Sequence, residues 1–129
     1  MITEDYVSFE TAKLLKEKGF DEYYPLWYNL DKPTEGPLFY KEIGWYGHNS
    51  YDYNGRRIVS APTLQMAMKW LREVHNIVIE ITSIWIKGFG YNYIVRIVVE
   101  GETKKSLKHY NYYEEACELS IKYSLENLI

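Results

Sequence analysis

The sequence lacks several features that mark particular classes of protein. It contains one cysteine, Cys117, so it can form neither an intramolecular disulfide nor a cysteine-rich metal site. No apolar run approaches the roughly 18–20 residues that a membrane-spanning helix needs. Positive charge is not in excess, since the formal net charge is −3 and the pI is about 5.6. No global basic field is therefore available to attract nucleic acid or an anionic membrane.

The start of the chain also lacks a targeting signal. Met1 is followed by ITEDYVSFE, which has neither the basic region nor the apolar region of a secretory signal peptide. We therefore expect a cytoplasmic protein without a membrane segment. At 129 residues the length predicts a single domain, residues 1–129, with room for one two-layer core.

Catalytic signatures are missing as well. The sequence has no HExxH motif, phosphate-binding loop, dinucleotide fingerprint or serine elbow. The three histidines, His48, His75 and His109, are far apart, and no pair has the spacing of a helical metal site. Cys117 falls in an apolar stripe, which is typical of a structural thiol. We therefore expect a non-enzymatic protein that has no metal site and no cofactor.

Aromatic residues are abundant, at 17% of the chain, with 14 tyrosines and 4 tryptophans. Almost half of them lie in residues 21–60, where no helical period is visible. This segment predicts hairpins and loops, with short strands at about 38–43 and on either side of Asn54-Gly55. Asn-Gly favours a type I′ hairpin turn, because both residues tolerate a positive φ.

Two helices are predicted before the first long strand. Residues 8–18 form the first, with Ser8 as its N-cap and Gly19 as its left-handed C′ residue. The second starts near Pro62 and ends at Asn76. Its apolar stripe recurs at helical spacing and consists of Leu64, Ala67, Met68, Leu71 and Val74.

Three strands and a last helix follow, over about 77–86, 91–100, 103–110 and from 111 onward. The sequence thus predicts an α+β fold in which an antiparallel sheet packs against helices, with α-β-β-β-α order over residues 62–129. The sheet contains a three-stranded C-terminal meander, which hairpin strands from residues 38–60 could extend.

Local details of this region are predicted too. Ile77, Ile79 and Ile81 share one face of the first strand, whereas Ile84 and Ile86 fall on the other face. Either a bulge near Thr82-Ser83 or coverage of both faces would explain this change. Gly101-Glu102 fits a type II′ turn, and Asn111 with Glu114 resembles a capping box.

The aromatic segment is the first candidate for a contact surface. Within EIGWYGHNSYDYNGRRIV, aromatic and basic residues of the kind that anchor protein interfaces lie close in sequence. They are Trp45, Tyr46, His48, Tyr51, Tyr53, Arg56 and Arg57. They favour binding of a protein partner or self-association as a homodimer. The alternative interpretation is that the aromatic residues fill the core of a loop-rich region.

A nucleic-acid-binding module is the alternative function. Arg96, Lys104, Lys105 and Lys108 could form a small basic patch on the sheet. The α-β-β-β-α order also matches that of double-stranded RNA-binding domains, but the start of the last helix, residues 111–115, is acidic where those domains are basic. Lysines that protect an exposed edge strand from aggregation would explain the same residues.

Three blocks of the sequence carry a resemblance: YVSFETAKLLKEKGFDE, SAPTLQMAMKWLREVHNIVIEI and NYYEEACELSIKYSLENLI. Together they resemble a family of small proteins from phages, prophages and mobile elements of Bacteroides-group gut bacteria, which has no assigned activity. The resemblance implies an intracellular accessory protein produced during infection or element transfer. It transfers no catalytic or binding residues.

Overall fold

The computed structural model describes residues 2–22, 26–39 and 57–129. Within these ranges the chain forms three α-helices, one 3-10 helix and six strands, and the strands make two separate antiparallel sheets. The α+β class predicted from the sequence is therefore confirmed. The chain divides into two compact units, Met1–Thr63 and Leu64–Ile129. The expectation of one domain stays a prediction.

The first helix, α1 (Phe9–Glu17), begins and ends where the sequence predicts. The Ser8 Oγ accepts a hydrogen bond at 3.2 Å from the backbone N–H of the third helical residue. At the other end Gly19 has a φ of +99°, and the Phe20 N–H donates to the Leu15 carbonyl at 2.9 Å. This is a Schellman ending, and its two apolar members, Leu15 and Phe20, are both buried.

The first unit contains a sheet of order β2-β1-β3, in which β1 is Leu26–Asn29, β2 is Leu38–Phe39 and β3 is Ile58–Ser60. The sequence did not predict β1, because four residues that are mostly buried show no alternation of polar and apolar side chains. Strand β2 confirms the start of the strand predicted at 38–43. The predicted turn at Asn54-Gly55 lies outside the described residues.

Aromatic side chains of β1 contribute to the core of this unit. Trp27 and Tyr28 are buried, and the Tyr28 hydroxyl donates to the Val7 carbonyl at 2.7 Å. For these two residues, the interpretation of aromatic residues as core residues is correct. Strands β2 and β3 pair with β1 and not with the C-terminal strands, so the extension of the meander by residues 38–60 is not seen among the described residues.

The second unit begins with α2 (Leu64–His75), the predicted amphipathic helix. Its buried residues are Leu64, Ala67, Met68, Trp70 and Leu71. Four of the five predicted stripe residues are thus confirmed, whereas Val74 is 57% exposed. Val74 lies in the last turn, where the chain leaves the helix at Asn76 with a φ of +57°.

A three-stranded antiparallel meander follows, made of β4 (Ile77–Ile86), β5 (Gly90–Val99) and β6 (Glu102–Tyr110), and α3 (Tyr113–Asn127) completes the unit. The predicted α-β-β-β-α order is confirmed. Helix α2 contacts β4, and α3 contacts α2 and all three strands.

Both helices lie on one face of the meander. The buried sheet residues Ile77, Val95 and Ile97 share that face, whereas Glu80 and Arg96 are exposed on the other. The two faces are called here the helix-side face and the open face.

Helix α3 carries small residues on its buried stripe. The buried residues are Ala116, Cys117, Ser120, Ile121, Ser124 and Leu125. The Ser120 Oγ donates to the Ala116 carbonyl, and the Ser124 Oγ donates to the Ser120 carbonyl at 2.8 Å. Because these bonds satisfy the buried hydroxyls, small polar residues are tolerated against the sheet.

Two local predictions about the ends of elements are wrong. The N-cap of α3 is Tyr112 and its side chain makes no capping bond, so Asn111 and Glu114 do not form a capping box. The β5–β6 turn consists of Glu100 and Gly101, whose φ values are +52° and +78°. Two positive φ values are typical of a type I′ turn, so the expected type II′ turn one residue later is not formed.

Both explanations offered for the apolar phase of β4 are also wrong. Strand β4 pairs with β5 over its whole length without a register shift, so there is no bulge near Thr82-Ser83. Its second half is not covered on both faces either, since residues 82–86 are all exposed. Ile84 and Ile86 follow the regular alternation and lie on the open face.

Candidate functional site

The apolar residues at the end of the β4–β5 hairpin are exposed to solvent. We call them the tip cluster, and they are Ile84, Trp85, Ile86, Phe89 and Tyr91. Trp85 is 64% exposed and Phe89 is 88% exposed. Single exposed apolar residues are common on protein surfaces, but contiguous groups of large ones mark contact surfaces.

The hairpin presents this cluster on a regular backbone. The Phe89 N–H donates to the Ile86 carbonyl at 2.9 Å and closes the turn. Gly88 and Gly90 have φ values of +86° and +92°, which only glycine adopts without strain. The turn therefore fixes where the Phe89 side chain leaves the hairpin.

Trp85 and Tyr91 form an aromatic pair across the hairpin. They are directly opposite in the register, and their ring centroids are 5.0 Å apart with an interplanar angle of 71°. An edge-to-face pair of this kind contributes about 0.5–1.5 kcal/mol beyond its buried area. Both side chains lie on the helix-side face, beyond the part of the sheet that the helices cover.

The tip is uncovered because the strands are longer than the helices. The ten residues of β4 span about 33 Å, whereas the 12 residues of α2 span about 18 Å. Tyr93 marks the limit of the covered part, since its ring lies 5.8 Å from that of Tyr113 at the start of α3. Residues of β4 after Ile81 and of β5 before Tyr93 therefore extend past the helix layer.

Most of the predicted partner-binding residues lie outside the described residues. This applies to Trp45, Tyr46, His48, Tyr51, Tyr53 and Arg56. Arg57 is described and exposed, and its guanidinium pairs with the Asp31 carboxylate at 2.5 Å. The nearby Lys16 ammonium lies 3.5 Å from the Ile58 carbonyl, and burial together with the Arg57 charge lowers the pKa of Lys16. The role predicted for this set stays a prediction.

Two members of the predicted basic patch are paired with carboxylates. The Arg96 guanidinium lies 2.6 Å from the Glu80 carboxylate, directly across β4 and β5. The Lys104 ammonium lies 3.2 Å from the Glu102 carboxylate. These pairs neutralise much of the charge that a phosphate backbone would meet.

The other two members do not complete a common surface with Arg96. Lys105 is opposite Ile97 in the register, so it lies on the helix-side face, and its ammonium is 5.5 Å from the Tyr123 ring centroid. Lys108 is exposed near the end of β6. Arg96 and Lys105 therefore lie on opposite faces of the sheet. Nucleic-acid binding by this set stays a prediction.

The groups that could support catalysis are dispersed. His75 lies at the end of α2 with its ring 4.7 Å from the Trp70 ring, and its Nε2 is buried without a hydrogen-bond partner among the described residues. His109 is exposed in β6. Within the described ranges, no three His, Cys, Asp or Glu side chains are grouped as a metal site requires.

None of the helices in the described part of the chain is long and apolar enough to span a bilayer.

Comparison with known proteins gives no match: no family model fits the sequence, and neither curated proteins nor solved structures show significant similarity. The tip cluster contains no carboxylate and no histidine. Its side chains can bury aromatic and aliphatic surface against a partner.

Sequence reasoning missed the tip cluster because its residues fall within the predicted strands 77–86 and 91–100 and the short connection between them, where no local motif marks a site. The sequence nevertheless contains a signal that this end of the hairpin is exposed. The strand IVIEITSIWI is apolar on both faces near the turn, and a strand of this length is longer than the neighbouring helix. A ten-residue strand is about 33 Å long and a twelve-residue helix about 18 Å, so part of the strand must extend beyond that helix.

Proposed function

We propose that this protein is a non-enzymatic binding protein that contacts a partner protein through the tip cluster. The observation that supports the proposal is the exposure of Trp85, Phe89 and Tyr91 at the end of a regular hairpin. Aromatic side chains bury a large area with little loss of conformational entropy, and Trp and Tyr supply much of the binding energy at protein interfaces.

The proposal also includes the cellular compartment and the genetic origin of the protein. The three sequence blocks that resemble proteins of phages and mobile elements support an accessory protein that acts in the cytoplasm of a bacterial host. The net charge of −3 fits this setting, because it does not favour non-specific binding to nucleic acid.

Photo-crosslinking tests the contact surface directly. Phe89 is replaced by p-benzoylphenylalanine in the full-length protein, and Tyr112, an exposed aromatic residue outside the tip cluster, is replaced in a matched control. Both proteins are irradiated in a lysate of the bacterial host. We expect a discrete protein adduct from position 89 and none from position 112, because only position 89 lies in the tip cluster.

A competition experiment gives the second readout. Unlabelled wild-type protein should suppress the adduct, whereas the Trp85→Ser variant should need about tenfold more protein, which corresponds to a loss of about 1.4 kcal/mol. Equal adducts from positions 89 and 112, or equal competition by wild type and Trp85→Ser, would contradict the proposal.

A further inference from the structure

Strand β4 is an edge strand with few of the features that protect sheet edges. Among the described residues its one neighbouring strand is β5. Its sequence, IVIEITSIWI, contains no lysine, proline or glycine, and its pairing with β5 has no bulge. Natural edge strands are usually short, charged, bulged or interrupted by proline. The backbone of β4 is therefore suited to the addition of another strand.

The single charge on this edge is compensated within the same unit. Glu80 is the one charged residue of β4, and its carboxylate lies 2.6 Å from the Arg96 guanidinium of β5. A lone carboxylate on an edge would oppose the approach of a second strand. Because Arg96 neutralises Glu80, the edge of β4 carries no uncompensated formal charge.

We infer that β4 pairs antiparallel with β4 of a second copy of this chain, which joins the two meanders into a six-stranded sheet across a twofold axis. This inference rests on the proposed function and names the partner of the tip cluster. Antiparallel pairing about such an axis is isologous, so each copy offers and accepts the same surface.

The chemistry of the edge indicates why the added strand is a second β4. The added segment must be extended over about ten residues, apolar on both faces and almost uncharged. Within the described residues, β4 is the strand that meets these requirements. Strand β5 is already paired on both sides, β6 contains three lysines, and β1, β2 and β3 have four residues or fewer.

The partial coverage of β4 makes it complementary to itself. The helices cover the half of β4 that contains Ile77, and they leave Ser83 and Trp85 exposed on the same face. Antiparallel pairing places the uncovered half of one strand beside the covered half of the other. With the axis at Ile81, Trp85 of each copy lies opposite Ile77 of the other copy and beside its helix layer.

The same arrangement gives a role to Val74. The tip of each hairpin reaches the start of the other β4, where the exposed Val74 lies at the end of α2. An aromatic side chain covers about 150–250 Å², and Trp85, Phe89 and Tyr91 have 64%, 88% and 57% of their surface left to bury. Six such side chains supply much of the roughly 1,200 Å² of total buried surface that a stable dimer needs, and the two paired strands supply the rest.

Sedimentation velocity on the full-length protein tests the inference. Wild-type protein is compared with Ser83→Lys and with the matched control Ser106→Lys, which places the same new charge on the other edge strand. Both serines are exposed. We expect wild type and Ser106→Lys to be dimers at roughly 100 µM. Ser83→Lys should raise the dimer dissociation constant at least about tenfold, because its ammonium would face an apolar residue beneath the helices of the other copy.

A distance measurement keeps the inference testable if Ser83→Lys fails to fold. Nitroxide labels are attached to Thr82→Cys in one sample and to Ser106→Cys in another, and Cys117 is buried. Five strand spacings separate β6 from β6 of the other copy, so the Ser106 labels should be about 24 Å apart at the backbone. The Thr82 labels should be within about 10 Å, since the two β4 strands are adjacent.

The outcomes separate this inference from the proposed function. A wild-type monomer at all concentrations, a dimer unaffected by Ser83→Lys, or Thr82 labels farther apart than Ser106 labels would each overturn the β4 pairing. A monomer that still gives a Phe89 adduct with another protein would overturn the pairing and leave the proposed function intact. A dimer with the expected distances but no adduct of any protein from position 89, including its own second copy, would overturn the role of the tip cluster instead.

Discussion

The two edge strands of the C-terminal sheet, β4 and β6, flank the same central strand and differ in almost every other respect. Strand β4 has one charged residue in ten and pairs without interruption. Strand β6 has lysines at positions 104, 105 and 108, and its pairing with β5 shifts register twice. The shifts leave one extra residue at Lys104 and another near His109, whose φ is +70°.

This difference does not arise from the core, because both strands flank β5 and contact the same helix α3. Lysines and bulges are the devices by which natural sheets prevent edge-to-edge pairing. Their presence on β6 protects that edge from further strands, whereas β4 has no such protection and, among the described residues, no second neighbouring strand. The lysines of the predicted nucleic-acid patch thus also fit the alternative interpretation, in which they protect an edge strand.

The largest effect on stability should come from a substitution in β5, the central strand between β4 and β6. Ile97→Ala, in the fully buried centre of β5, should lower the free energy of unfolding by about 2–5 kcal/mol, since it leaves a cavity. Ile84→Ala, in the exposed half of β4, should cost less than about 1 kcal/mol. Equilibrium denaturation with urea measures both values. Similar losses from the two variants would show that Ile84 is packed as well as Ile97 is, and would contradict the exposure of the tip cluster.

The next effect should follow from removal of the protection on β6. Lys104→Gln combined with Lys108→Gln should make the protein aggregate at lower concentration, because the edge loses two charges at its bulges. Light scattering against protein concentration measures this. The control is Lys13→Gln with Lys69→Gln, which removes the same charge from two exposed helical positions. Equal aggregation of both variants would assign the effect to net charge and not to the edge.

A smaller effect is expected at the turn that leads into β6. Glu100 has a φ of +52°, and asparagine tolerates this conformation better than glutamate. Glu100→Asn creates Asn-Gly, the preferred type I′ pair, and should raise the free energy of unfolding by about 0.5–1 kcal/mol. The control is Glu102→Asn, which lies in the strand and should give no gain. Equal changes from both variants in urea denaturation would argue against the type I′ assignment.

The smallest effect concerns stability at alkaline pH and involves Tyr113, the first residue of α3, which follows β6. Burial raises the pKa of Tyr113 above its ordinary value of 10.0, and nearby Glu114 also raises it, although the hydrogen bond from Gln65 at 3.0 Å acts in the opposite direction. The folded state therefore holds this proton more tightly than the unfolded state does. The stability that this raised pKa contributes is complete below the ordinary value of 10.0, which applies to the unfolded chain. It is lost as the pH rises through the pKa of the folded state.

Tyr113→Phe should therefore make the alkaline loss of stability less steep. Urea denaturation between about pH 9 and pH 11 measures the slope for wild type, for Tyr113→Phe and for the exposed neighbour Tyr112→Phe as control. A slope that Tyr113→Phe leaves unchanged would contradict the assignment. A slope that Tyr112→Phe reduces equally would show that the effect is not specific to Tyr113.

The candidate site was less predictable than the fold. The spacing of Leu64, Ala67, Met68 and Leu71 predicted α2 correctly, and Ser8 and Gly19 predicted both ends of α1, because these signals are local. The exposure of Trp85 could not be predicted in the same way. It depends on where the helix layer ends above the sheet, which is a relation between elements that are distant in sequence.

The sequence by itself determined the α-β-β-β-α order of residues 62–129, most of the apolar stripe of α2 and the antiparallel meander, since hydrophobic period and turn residues act over a few neighbouring positions. Only the tertiary structure decided which apolar residues are buried. It showed that β4 pairs without a bulge, that Lys105 and Arg96 face opposite sides, and that the strands extend beyond the helices. Burial depends on which elements cover a side chain, so Ile77 is buried beneath the helices whereas Trp85, on the same face of the same strand, is exposed.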